Sequence, residues 1–386
     1  MSYLLYSDPQ ITFPYTNEKL SKSAFQASRL TATTFLIKEH DDIYSEHPHI
    51  YAKVVPSSNT ILVIDTGCGG ASNDTQFEIK SLRDFIETVN VDDNDGLPLN
   101  RDGKMGYVVA LTHCHYDHIR ALMTFIHFDY LHSKDSLILA SAHSPSFLDE
   151  DAMPEHSLCN ALNIKTPQYT PTLVPHMHEI IATDFRKTQL DVKILHTPGH
   201  TPDEIALYDE AEKMLYVGDS LYEWEPIIFP KEGSIVTWFS SMDYLIEFVK
   251  QKNLLLQSSD ERNGEPFGVL INAGHCTALQ PALDVLLSAK AYMRNVVEGK
   301  EEVAERRESR GEETVTYGKT GDRFSLRCPE RLVEEVRRHG EQDWNNEYRD
   351  RRERLYRLRY YEHRSYFFIL IQGILLLIEL EKSLHH

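Results

Sequence analysis

What this 386-residue chain lacks narrows its function before any motif is read. Its five cysteines (Cys68, Cys114, Cys159, Cys276, Cys328) are an odd number with no framework spacing, which excludes a disulfide scaffold and a cysteine-based structural zinc site. The opening MSYLLYSDPQ has no basic stretch leading into an apolar core, so a secretory signal is not expected and the expected location is cytoplasmic. Positive charge is scarce: 40 Lys+Arg stand against 59 Asp+Glu, a net of −19. The shortfall lies in residues 1–300, with 23 basic against 41 acidic groups, while residues 301–386 hold 17 against 18. A surface of that sign repels phosphate backbones, so no nucleic-acid partner is expected.

A membrane-spanning run is missing too. The uncharged stretch SYFFILIQGILLLI (365–378) has 14 residues, against the roughly 20 a span needs. Stable membrane insertion is therefore not expected. Packing of this segment on the domain or on a partner subunit is, and a homodimer is compatible with it. No internal repeat of 20–50 residues is visible. Residues 1–330 read as one catalytic domain and 331–386, with an arginine-rich run, as a C-terminal helical extension.

Apolar strand-like runs occur at 31–40, 50–55, 60–67, 107–112, 137–142, 190–197, 204–209, 213–219 and 267–275. Helical spacing occurs at 81–89, from His118 through 128, at 237–251, and after Cys276. Residues 144–179, with five prolines, read as an insertion or lid rather than core. Mixed strands and helices indicate an α/β or α+β class, with sheets covered by helices.

Four strands end in metal-liking residues: THCHYDH (His113, His115, Asp117, His118), HTPGH (His196, His200), YVGD (Asp219) and INAGH (His275). Strand-end loops are where a rigid sheet can aim polar groups at one point. Two-residue offsets let His113 and His115 point the same way, and Asp117–His118 can face a second ion. Imidazole plus carboxylate suits zinc, iron, manganese or nickel. Seven ligands exceed one tetrahedral ion and suit two ions sharing a carboxylate. His127, His132 and His143 read as ordinary core or surface histidines, and His176 and His178 as loop. Cys114 and Cys276, flanking ligands, read as small buried fillers facing away from the metals.

The set H-x-H-x-D-H at 113–118, HTPGHT, LYVGD and INAGH, in that order and preceded by a strand ending in DTG, resembles the metallo-β-lactamase superfamily. The resemblance covers roughly residues 31–300. It implies a four-layer αβ/βα sandwich with metals at one edge between its sheets. It further implies that His113, His115 and His200 hold one Zn2+, that Asp117, His118 and His275 hold another, and that Asp219 bridges both. Asp65 and His196 would stand behind the ligands as supporting groups. Many relatives carry two glycines after the aspartate–histidine pair, where this chain has Arg120 and Ala121.

The implied activity is hydrolysis, a zinc-bridging hydroxide attacking the carbonyl of a small lactone, lactam, ester or thioester. Asp117 would accept its proton, and Tyr222, three positions after Asp219, would stabilise the oxyanion. The wording around HTPGHT is nearest to glyoxalase-II-like and acyl-thioesterase-like branches, with lactonases close by. The stretch with Trp224, Ile227, Phe229, Trp238 and Phe239 is either a pocket wall or ordinary packing. A mononuclear iron (Fe2+) dioxygenase of the persulfide-dioxygenase type is the alternative enzyme. A binding or scaffold protein that has lost catalysis is the alternative from another class.

Overall fold

The structure is a computed structural model that describes residues 22–126, 136–258, 268–319 and 321–338. Its first sheet has seven strands in sequence order: β1 (Phe25–Arg29), β2 (Thr34–Glu39), β3 (His49–Val55), β4 (Thr60–Ile64), β5 (Gly106–Ala110), β6 (Leu137–Ser141) and β7 (Thr172–Val174). β1 to β4 are antiparallel, and β4 to β7 run parallel. The second sheet is built from β8 (His178–Ile181), β9 (Gln189–His196), β10 (Ile205–Asp209), β11 (Met214–Tyr216), β13 (Leu270–Asn272) and β14 (Gln280–Pro281). Between them in the chain, β12 (Pro226–Ile228) leaves for a third sheet of order β12-β17-β16-β15, with β15 (Val303–Ser309), β16 (Glu312–Tyr317) and β17 (Ser325–Pro329).

Strand alternation explains the layering. In β4, Ile61 and Val63 face one core, and Leu62 and Ile64 face another. In β10, Ile205 and Leu207 meet that second core, while Ala206 and Tyr208 turn to a third. Every residue of β4, β5 and β10 is buried, as expected of strands covered on both faces. Helix α1 (Leu82–Thr88), capped by Ser81, covers the first sheet with Leu82, Phe85 and Ile86. Helices α4 (Ile235–Ser258) and α5 (Ala282–Val297) cover the second. The result is helix, sheet, sheet, helix: the expected four-layer αβ/βα sandwich.

Three expectations are corrected, and one alternative left open is settled. The helix from His118 onward is only α2 (Tyr116–Ile119), followed by a 3₁₀ turn at Leu122–Thr124. Ala121, at ψ 3, takes the chain off the helical path, and Leu122 and Phe125 drop into the core under the first sheet. Residues 144–179 are not all insertion: a short α3 (Met153–His156), then β7 and β8, edge strands whose Val174 and Ile180 are buried between the sheets. Ile227, Phe229, Trp238 and Phe239 are buried core, which leaves only Trp224 of that group exposed, at 54%. Cys114 is buried, but Cys276 is exposed, turned outward at φ 47.

Helix α6 (Glu330–Arg338) packs Leu332, Val333 and Val336 on the third core. The rest of 331–386, with the run 365–378, lies outside the described residues, as do His127 and His132. Among the described residues no helix is long and apolar enough to cross a membrane.

Lys53 of β3 forms an ion pair with Asp209 of β10, joining the two sheets with side chains 8% and 0% exposed. Replacing one buried partner strands the other charge, so Lys53→Met is expected to destabilise by about 3–5 kcal/mol at neutral pH. Urea unfolding measures the loss, and Lys53→Met/Asp209→Asn, which removes the second charge but keeps the oxygen that accepts the Ala211 and Glu212 N–H groups, should recover part of it.

Candidate metal centre

The seven strand-end residues converge. Ligand atoms of His113, His115 and His200 lie within 4.8 Å of one another, and so do those of Asp117, His118, Asp219 and His275. All seven are buried. His115 Nδ1 sits 3.1 Å from His200 Nε2. His118 Nε2 is 3.4 Å from both Asp117 Oδ2 and Asp219 Oδ1. His275 Nε2 is 3.3 Å from Asp117 Oδ2 and 3.4 Å from Asp219 Oδ2. That same Oδ2 lies 4.0 Å from His200 Nε2, so Asp219 stands between the two groups.

Four of the five rings are oriented by their other nitrogen, which fixes where the lone pair points. His118 Nδ1 meets Asp65 Oδ2 at 2.9 Å, as expected of a supporting aspartate. Asp65 also accepts the Thr112 N–H at 2.7 Å and its hydroxyl at 2.8 Å. It does so from a left-handed backbone, φ 61, a conformation aspartate tolerates better than most residues. Thr112 Oγ1, its proton committed to Asp65, accepts from His113 Nδ1 at 3.1 Å. His200 Nδ1 donates to the Ile228 carbonyl at 2.7 Å, and His275 Nδ1 to the Glu46 carbonyl at 2.8 Å.

Burial and the neighbouring imidazoles hold His113 and His115 well below the usual histidine range, and burial lowers His200. Those rings are neutral and ready to coordinate. Burial alone would raise Asp117 and Asp219, but His118 and His275 outweigh it and keep both ionised. Burial likewise works against charged His118 and His275, and the aspartates reverse it. Protons there stand where a cation would. Nε2 of His113, His115 and His118 and Oδ1 of Asp219 are buried with no hydrogen-bond partner, an arrangement too costly to keep unless something else satisfies it. Imidazole and carboxylate atoms so aimed fit divalent transition metals.

Tyr222 is buried with its ring against His275, centroids 5.2 Å apart, and its hydroxyl accepts the Ile228 N–H at 3.2 Å. His196 is elsewhere: its Nε2 bonds the Val174 carbonyl at 3.0 Å and its ring faces His143 and His176. Arg120 lies with its guanidinium 5.7 Å over the Tyr44 ring. Sequence reading missed Thr112, Glu204 and the Ile228 and Glu46 carbonyls. Backbone carbonyls carry no side-chain signature. Glu204 did have one, as a carboxylate at the lip of a fully buried strand, the cue that marked the ligands themselves.

Gly274 lets the His275 loop pass over the site. A Cβ there would overlap Asp219 Oδ1 and come 2.8 Å from His118 Cε1. Gly274→Ala is therefore expected to weaken metal retention about tenfold or more, read by elemental analysis after dialysis. Parental metal content would show that this close approach is dispensable.

A family model described as the metallo-beta-lactamase superfamily matches residues 54–256. A protein of Aspergillus versicolor described as putative transcription factor avaE is 32% identical over 327 residues, covering 83% of this chain and 90% of that one. The acyl-coenzyme A thioesterase MBLAC2 of Gallus gallus is 24% identical over 203 residues, 51% of this chain and 66% of its own. Among solved structures, a metallo-beta-lactamase family protein of Thermus thermophilus superposes with a TM-score of 0.47 at 15% identity, covering 70% of this chain and 82% of that one.

Proposed function

The chain belongs to the metallo-β-lactamase superfamily, and from that premise we propose a dinuclear zinc hydrolase that attacks the carbonyl carbon of a small lactone, lactam, ester or thioester and breaks its bond to the leaving oxygen, nitrogen or sulfur. The observation that carries it is the pair of ligand groups with Asp219 between them. Within the substrate range the thioester is favoured by the likeness to MBLAC2, whose name gives it acyl-coenzyme A thioesterase activity. The five free cysteines support a cytoplasmic setting, where thiols stay reduced.

Two divalent ions held by these residues would supply a water of lowered pKa and a Lewis acid for the carbonyl oxygen. The chain's own groups do the rest. Asp117, at the start of α2 with its side chain 9% exposed, accepts the proton of the attacking water on its carboxylate and returns it to the leaving group. Tyr222 already accepts a hydrogen bond from Ile228 N, which leaves its own O–H to donate to the carbonyl oxygen as charge develops. Asp65, Thr112 and the two carbonyls hold the rings still while this happens.

A mononuclear iron dioxygenase would use one ligand group and leave the other, equally buried, without a purpose. The Aspergillus relative's description as a putative transcription factor points to another class; this chain's net charge of −19 has the wrong sign for a phosphate backbone.

Elemental analysis should find near two zinc per chain, and one iron per chain would overturn the proposal. Lactones, lactams, acyl-thioesters and glutathione thioesters assayed with and without chelator should show metal-dependent turnover of at least one class. Tyr222→Phe is expected to lower kcat by about 10²-fold with little change in KM, as for loss of one oxyanion donor. An unchanged kcat would assign Tyr222 to packing alone.

A further inference from the structure

We infer that Glu204 is a positioning residue of the metal centre, its carboxylate holding the loop that carries Asp219 and lying against the His113 ring. The inference rests on the reading above that the two ligand groups hold metal ions.

Glu204 stands directly before β10, 0% exposed. Its Oε1 accepts the backbone N–H of Asp219 at 3.1 Å. Its Oε2 lies 3.5 Å from His113 Nδ1 and has no hydrogen-bond partner of its own. Its backbone closes the HTPGHT turn: the Thr197 N–H donates to its carbonyl at 3.0 Å, and its own N–H donates to the Thr201 carbonyl at 3.4 Å. One residue thus touches the segments that present His113, His200 and Asp219, ligands drawn from both groups.

Room has been made for this carboxylate. Gly218 adopts φ +50, and a Cβ there would overlap Glu204 Oε1 and come 2.7 Å from Thr112 Cβ. A position so deeply buried is ordinarily apolar, because an ionised carboxylate without compensation is expensive there. Here the chain keeps both the acid and the glycine that admits it. Cations a few ångströms away would offset that cost, and groups behind the ligands commonly set metal affinity. Packing alone would be served as well by a leucine.

Two variants of similar volume separate the roles. E204Q keeps an oxygen for the Asp219 N–H; E204M fills the space without one. Apo protein prepared by chelation is titrated with zinc against a competing chelator, and thermal unfolding of each apo protein is followed alongside. E204M is expected to bind zinc about 10–100-fold more weakly and E204Q to stay within about threefold of the parent, with the apo melting temperatures close together. Parental affinity in E204M overturns the inference, and so does E204Q as weak as E204M. A common fall in apo stability with affinity unchanged would assign Glu204 to packing, which also overturns it. Should E204M not fold, E204L supplies the same arm. A parent that takes up no metal defeats the metal-centre reading itself, a result distinct from a parent that binds zinc while E204M binds equally well.

Discussion

Two carboxylates and five imidazoles meet where all seven side chains are buried, and there each group must be matched by a neighbour or by a cation. Three of the imidazoles stay neutral there, and two take protons only because Asp117 and Asp219 face them. In four of the five rings the nitrogen turned away from the site is engaged, which fixes the lone pair that faces inward. For His118 the partner is the charged Asp65; for His113, His200 and His275 it is a hydroxyl or a backbone carbonyl. Neutral acceptors fix tautomer and direction without adding charge to a site already rich in it.

Those acceptors are themselves held by the fold. The carboxylate of Asp42, 0% exposed, accepts the N–H groups of Tyr44, Glu46 and His47 and so sets the loop whose Glu46 carbonyl meets His275. Ile228 is the last residue of β12, paired in parallel with β17, and the Phe229 N–H donates to the Arg327 carbonyl at 2.8 Å. The buried Glu223, on the same segment, takes Arg323 Nε at 2.8 Å and so links it to the chain just before β17. The third sheet, lying beyond residues 54–256 apart from β12, is therefore part of what aims His200.

The residues that converge were legible because polar and charged groups at the mouths of apolar strands have few structural explanations, and four such mouths in one chain leave fewer still. The central strands were legible too: β4, β5 and β10 are apolar throughout because both faces are covered. The edges were not. β7 and β8 are three and four residues long, too short for alternation to show against five nearby prolines. The long helix expected after His118 failed because one residue's ψ decided it, and no periodicity encodes that. Pairing of β12 with β17 joins residues about a hundred positions apart, a distance across which local pattern carries no information.

That pairing also sets an order of events. All seven ligand side chains have been synthesised by His275, yet the strand that seats the carbonyl behind His200 is complete only at Pro329. A nascent chain at residue 300 would hold the full donor set with one ring unanchored. The last anchor of the site is thus a contact of high sequence separation, the kind that carries a large loop-closure cost.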